Sequence, residues 1–181
     1  MSLREQPVLS QVMIDLETLA TSSDAVVVSI GAVKWNKRIV GGNEFYMVLD
    51  LDDQLAKGRK KSEQTLAWWS QQTPEAQAVF DAPRTSTPEV LVAFTEWLGD
   101  GNLQIWGNGA DFDCVIWGSL FDTFGVKRPW SYSNNRCYRT LKNIMSPSMQ
   151  LPLRTGTHHN AVDDAAHQAN CAIVYLAGTI K

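Results

Sequence analysis

Cysteine is scarce, with three residues in 181, Cys114, Cys137 and Cys171, and they form neither a CxxC pair nor a Cys/His cluster. An odd, unclustered set excludes a disulfide framework and a structural zinc site, and a reducing cytoplasm is the expected compartment. Positive charge is not in excess either: 16 Lys and Arg stand against 19 Asp and Glu, for a net charge of −3. No whole-molecule field draws such a chain onto nucleic acid or an anionic membrane, so any phosphate contact has to be local or carried by a metal. No apolar run approaches the roughly 18 residues that a membrane span requires. The first residues also lack the basic segment and apolar run of an export signal, so no membrane partner is expected. Glycine (12) and proline (7) are too few for a collagenous or linker protein, and no repeat or low-complexity tract interrupts the chain.

What is present is an ordinary globular balance, 44% hydrophobic and 19% charged, over a length that suits one domain. The expected organisation is a tail over residues 1–11 and a single domain over 12–181. Val12 to Leu16, Ala25 to Trp35 and Glu44 to Leu49 read as strands, with turn chemistry over Asn36 to Gly42. Helices are expected over Glu63 to Gln71, over Pro74 to Phe80 with Thr73 as N-cap, and over Pro88 to Leu98 with Thr87 as N-cap and Gly99 as stop. Leu103 to Trp106 reads as a fourth strand, followed by helices from about Phe112 to Phe124, Arg136 to Met145 and Asn160 to Leu176. Strands first and then alternating elements predict an α/β fold with a mixed sheet.

Three short segments carry chemistry. In Val12-Met13-Ile14-Asp15-Leu16-Glu17-Thr18, period-2 alternation puts Asp15 and Glu17 on one face at a strand's end. Two carboxylates in one small space repel each other and lose hydration, a cost that a hard divalent cation removes. The alternative is a strand end reaching solvent. In Gly107-Asn108-Gly109-Ala110-Asp111-Phe112-Asp113 the glycines permit a tight turn before a helix, and Asp111 and Asp113 suit either a cap or a site. This is no phosphate loop, because it lacks the Gly-Lys-Ser/Thr ending and the third glycine of a dinucleotide fingerprint. The third segment, His158-His159-Asn160-Ala161-Val162-Asp163-Asp164-Ala165, opens an alanine-rich helix; a loop histidine beside metal-bound water suits general-base work near neutral pH.

In combination these segments resemble the three exonuclease motifs of the DnaQ-like 3'-5' exonucleases of the DEDDh group, in order and over most of the chain. The resemblance implies a ribonuclease H-like fold, a five-stranded mixed sheet flanked by helices. It further implies Asp15, Glu17, Asp113 and Asp164 as metal ligands, His159 as general base, and Thr18, Leu19, Asn108 and Phe112 around the terminal nucleotide. Two Mg²⁺, replaceable by Mn²⁺, are the implied cofactors, single-stranded nucleic acid entering by its 3' end the implied partner, and nucleoside 5'-monophosphates the products. Related enzymes are often dimers, so a homodimer is also implied. The longer Gly-Asn-Gly-Ala-Asp-Phe-Asp motif and the Leu66-Ala67-Trp68-Trp69 helix are more similar to phage-type, exodeoxyribonuclease VIII-like enzymes and the ribonuclease AS group. DNA is the favoured polymer in this reading, with RNA 3'-end trimming and non-catalytic nucleic-acid binding as alternatives.

Spacing alone does not select the last carboxylate. On a helix with the apolar stripe Val162, Ala165, Ala169, Ala172, Ile173 and Leu176, Asp163 and Asp164 both fall roughly 130° from the centre at ~100° per residue. An i+4 relation to a helical His159 would favour Asp163, whereas the resembling motif selects Asp164. Trp68 and Trp69 are about 100° apart, so one is expected in the core and at most one toward substrate. Lys57-Gly58-Arg59-Lys60-Lys61, and next Arg136, Arg139 and Lys142, are the candidates for attracting phosphate.

Overall fold

The computed structural model describes residues 9–145 and 148–178. Three antiparallel strands come first, β1 (Gln11–Thr18), β2 (Val27–Trp35) and β3 (Val40–Val48). Four helices follow: α1 (Leu51–Ala56), α2 (Glu63–Trp69), α3 (Pro74–Gln77) and α4 (Thr87–Leu98). The remainder is β4 (Gln104–Gly107), α5 (Val115–Phe124), β5 (Asn135–Cys137), α6 (Tyr138–Ile144) and α7 (Ala161–Gly178). The sheet order is β3-β2-β1-β4-β5, antiparallel across β1, β2 and β3 and parallel from β1 through β4 to β5. This is the expected five-stranded mixed sheet. Among the described residues no helix is long and apolar enough to cross a membrane.

Alternation along β1 divides the core. Val12, Ile14 and Leu16 join an apolar cluster with Phe94 of α4 and Trp117, Leu120 and Phe121 of α5. Met13 points the other way, with Val33, Trp35 and Trp106, toward Ala165, Ala169 and Ala172 of α7. Asp15 and Glu17 follow Met13 on that face, so β1 runs from apolar to charged beneath α7. Register explains how closely α7 can lie: Asp15 pairs with Gly31 of β2. A Cβ at Gly31 would run into the backbone of Ala161 and Val162, so only glycine admits the first turn of α7 there. Small residues on α7 continue that close approach.

Several boundaries differ from the sequence reading. Gln11, expected to precede the first strand, belongs to β1, and residues 1–8 of the expected tail lie outside the described residues. Residues 146, 147 and 179–181 do so as well. Strand β2 starts at Val27 rather than Ala25, which makes only an isolated bridge to Lys60. Helix α1 was unforeseen because six residues are too short to display a 3.6-residue period; it is capped by Asp50 and buries Gln54, whose carboxamide bonds Val27 N and O at 2.8 Å each. Thr87 is the first helical residue of α4 and not its cap. Asp53 accepts its amide and its hydroxyl, both at 2.7 Å, and so caps the helix from a distant part of the chain. Strand β5 takes the place of the expected first turn of a helix, so Arg136 lies in a strand, not on a helical face with Arg139 and Lys142.

Candidate active site

Past Met13, β1 outruns its parallel pairing with β4, which ends at Gly107 and turns away. The turn delivers Asp113 beside β1. Gly107 is needed there, since a Cβ would stand 2.7 Å from that of Asp113, and Gly109 adopts φ 120°, a conformation suited to glycine. Ala110–Cys114 then form one π-helical turn, a wide turn that often marks functional sites. On it Asp113 is 2% exposed, with Oδ1 accepting the Leu16 amide at 3.2 Å and Oδ2 buried without a hydrogen-bond partner among the described residues. Asp111, two residues earlier, is exposed.

Helix α7 supplies the remaining carboxylate. Its buried apolar residues are Ala161, Ala165, Ala169, Cys171, Ala172 and Tyr175, while Val162, Ile173 and Leu176 are only partly covered. That stripe is rotated from the expected one: at ~100° per residue Asp164 falls ~60° from its centre and Asp163 ~160°. Asp164 lines the cavity and is buried. Asp163 turns back to accept the Thr157 amide at 2.7 Å, packed against Gly156. One turn beyond Asp164, buried Gln168 donates to Asp15 Oδ1 at 2.7 Å. Spacing from Asp164 by i+4 was the signal that would have revealed Gln168.

His159 precedes the helix with φ 62°, and its amide donates to Asp164 Oδ2 at 3.1 Å. Its ring meets Trp68 edge to face at a centroid distance of 4.9 Å, and one of its ring nitrogens lies with single carboxylate oxygens of Glu17 and Asp164, all within 4.8 Å of one another. The two tryptophans divide as anticipated: Trp69 is core, donating Nε1–H to Thr18 O at 2.9 Å, and Trp68 is 40% exposed at the cavity.

A cavity of about 890 Å³ brings together Asp15, Glu17, Asp113, Asp164 and His159 with Thr18, Asn108 and Phe112. Leu19 is not on its wall. The register shift between Glu17 and Thr18 breaks the alternation, and Leu19 is buried in an apolar cluster with Val26, Val28 and Trp69. The Lys57 to Lys61 run is likewise elsewhere. Arg59 is 4% exposed and bonds Ala25 O, Ser119 and Thr123, joining the approach to β2 with α5, and Lys60 pairs with Asp24 at 3.0 Å. Arg139, Lys142 and Arg154 are the Arg and Lys residues on the cavity wall, and Arg154 pairs with Asp164. No spacing rule singles out Arg154 within its loop.

Burial makes the carboxylates hard to ionise. Desolvation raises Asp15 well above the carboxylate range, with Asp113 and Glu17 adding repulsion. Glu17 is pushed up to about 8 by desolvation and then by Asp113, and Asp113 to about 7 by desolvation. Burial, then His158 and Arg154, lower His159 and so favour its neutral ring. Crowded carboxylates that resist charge, including one with an orphaned buried oxygen, fit hard divalent cations.

The comparisons agree with this architecture. No curated protein matches the chain. Among solved structures, the nuclease domain of 3'hExo, a DEDDh family member solved bound to rAMP, aligns over 94% of this chain and 93% of that one, with a TM-score of 0.60 and 13% identity. The likeness is one of fold, ribonuclease H-like α/β. The family model of the 3'-5' exoribonuclease Rv2179c-like domain matches residues 10–176. With a match across nearly every described element, the chain belongs to the Rv2179c-like 3'-5' exoribonuclease domain family and is a nuclease.

Proposed function

We propose that the protein shortens single-stranded RNA from its 3' end in the cytoplasm, releasing nucleoside 5'-monophosphates. The observation that carries this reading is the convergence, in one cavity, of Asp15 and Glu17 from β1, Asp113 from the π turn, Asp164 from α7 and His159 from the preceding loop. The sequence reading favoured DNA; the family's description as an exoribonuclease favours RNA. A single domain running from β1 through α7, and its pairing into a homodimer, belong to the same proposal.

Asp15, Glu17, Asp113 and Asp164 would hold two Mg²⁺, or Mn²⁺ in their place. When bound, these cations supply an acidified water and positive charge for the departing 3' oxygen. The protein's own contributions follow from its geometry. His159 accepts the proton of the attacking water; its main-chain amide is anchored on Asp164, and the edge-to-face contact with Trp68 positions the ring. Gln168 holds Asp15 through one oxygen and leaves the other for the cation. Thr18, Asn108 and Phe112 flank the terminal nucleotide, and the exposed Trp68 offers an aromatic face for its base.

The test is digestion of 5'-labelled single-stranded RNA and DNA of one sequence, with Mg²⁺ and with chelator. A ladder shortening from the 3' end, metal-dependent and faster on RNA, is expected. Faster loss of DNA refutes the polymer, and no shortening of either refutes the activity. Light scattering reads the dimer separately.

A further inference from the structure

The cavity contains a cation of its own. Arg154 lies on the loop before α7, and its side chain is 22% exposed. Nη2 pairs with Asp164 Oδ1, whose partner oxygen Oδ2 accepts the His159 amide. Arg154 Nε is buried and has no hydrogen-bond partner among the described residues. A guanidinium usually spends its rigid fork on a carboxylate or phosphate in bidentate fashion, and leaving a buried donor unmatched is unfavourable. Here the fork is only partly matched, and it faces a cavity built for a phosphodiester.

Charge decides what happens next. While the carboxylates hold no cation, Arg154 is the positive group that offsets Asp164. A divalent cation on Asp164 competes for the same oxygen and repels the guanidinium at short range. Displaced from that oxygen, the guanidinium requires another anion. Phosphate oxygens of the terminal nucleotide, drawn to the same cations, are the acceptors that match its fork.

We propose that Arg154 is a substrate-binding residue held in reserve: it pairs with Asp164 in the cation-free site and transfers to the phosphate of the 3'-terminal nucleotide once a cation engages that carboxylate. This rests on the nuclease reading above. It predicts effects of opposite sign from one substitution, which a merely structural residue would not produce.

The experiment measures Mn²⁺ binding by calorimetry without nucleic acid, and binding of a fluorescent single-stranded RNA with Mn²⁺ by anisotropy in a His159→Ala background that slows cleavage. Arg154→Ala is expected to bind Mn²⁺ several-fold more tightly and RNA roughly tenfold more weakly, the scale of one charge-assisted contact to phosphate. Arg154→Lys, which keeps charge without the fork, should bind Mn²⁺ nearly as wild type and RNA at an intermediate level. Unchanged or weaker Mn²⁺ binding by Arg154→Ala overturns the pairing with Asp164, and unchanged RNA binding overturns the transfer; either result overturns the proposal. Should Arg154→Ala fail to fold by circular dichroism, Arg154→Gln carries the same two criteria. Wild-type digestion separates the two readings, because RNA shortening by the wild type with these signs absent refutes only the role of Arg154.

Discussion

The two faces of β1 are built on opposite principles. On one, Val12, Ile14 and Leu16 meet α4 and α5 around edge-to-face contacts of Phe94 with Trp117 at 5.3 Å and of Trp117 with Phe121 at 5.6 Å. The side chains there gain by burial, and the indole N–H of Trp117 is the polar group that the cluster encloses. On the other, Met13 gives way to Asp15 and Glu17, and α7 covers them with Asp164 and Gln168. Burial there opposes folding until a cation arrives. The same strand thus provides stability on one side and a poised, unfavourable cluster on the other, and the first makes the second tolerable.

The sharpest way to separate the faces is Phe94→Ala. It should cost about 3–5 kcal/mol of stability through the cavity it leaves, with Mn²⁺ affinity of the folded fraction unchanged; denaturant unfolding and calorimetry read the two. A fall in affinity would show that the faces are coupled. On the charged side, His159→Ala should lower turnover by about 10²-fold, the scale of a positioned proton-transfer group, while His158→Ala does far less. Equal rates in digestion assays would remove His159 as the base.

Acidity tests the claim that the charged face opposes folding. Glu17 at about 8 and Asp113 at about 7 are raised above their unfolded values near 4, so the folded state binds more protons between those limits. Their contribution is fully present below about pH 4 and is lost as pH rises through 7 and 8. In chelator, the melting temperature should therefore fall from pH 5.5 to pH 8.5, and Mn²⁺ or Asp15→Asn should flatten the fall. A rise would contradict it.

Smaller effects refine the picture. Gln168→Leu should weaken Mn²⁺ binding by about tenfold, the lower end for a lost partner of a metal ligand, with Gln168→Asn tested for partial rescue. Asp163→Asn, a loop anchor at a helix N-terminus, should cost only about 0.3–1 kcal/mol and retain activity, whereas Asp164→Asn loses it. An inactive, well-folded Asp163→Asn beside an active Asp164→Asn would exchange their roles.

What the sequence could disclose follows the same division. Long helices and β1 were legible because their periods repeat often enough to be read. Helix α1 and strand β5, with six and three residues, show no period, and Asp53 capping α4 is a contact across the chain. Arg59 shows the limit of charge runs, since a basic cluster in sequence became a buried brace in space. The motif selects Asp164, but spacing alone does not separate it from Asp163, because the apolar stripe expected on α7 runs through Val162, Ile173 and Leu176, which the fold leaves partly exposed. Motif order found the charged residues, while packing determined which way each one faces.

Gly31 gives the site an unusual tolerance profile. Because the first turn of α7 rests directly on strand backbone at that glycine, the distance from β1 to the Asp164 turn is set by two main chains in contact, with no side-chain cushion to compress. The loop before α7 can therefore change length upstream of Arg154 in a descendant sequence, provided that Arg154, His159 and the helix return to the same seat. One methyl group at position 31 cannot be absorbed that way: it lifts the helix and carries Asp164, Gln168 and His159 off their alignment together.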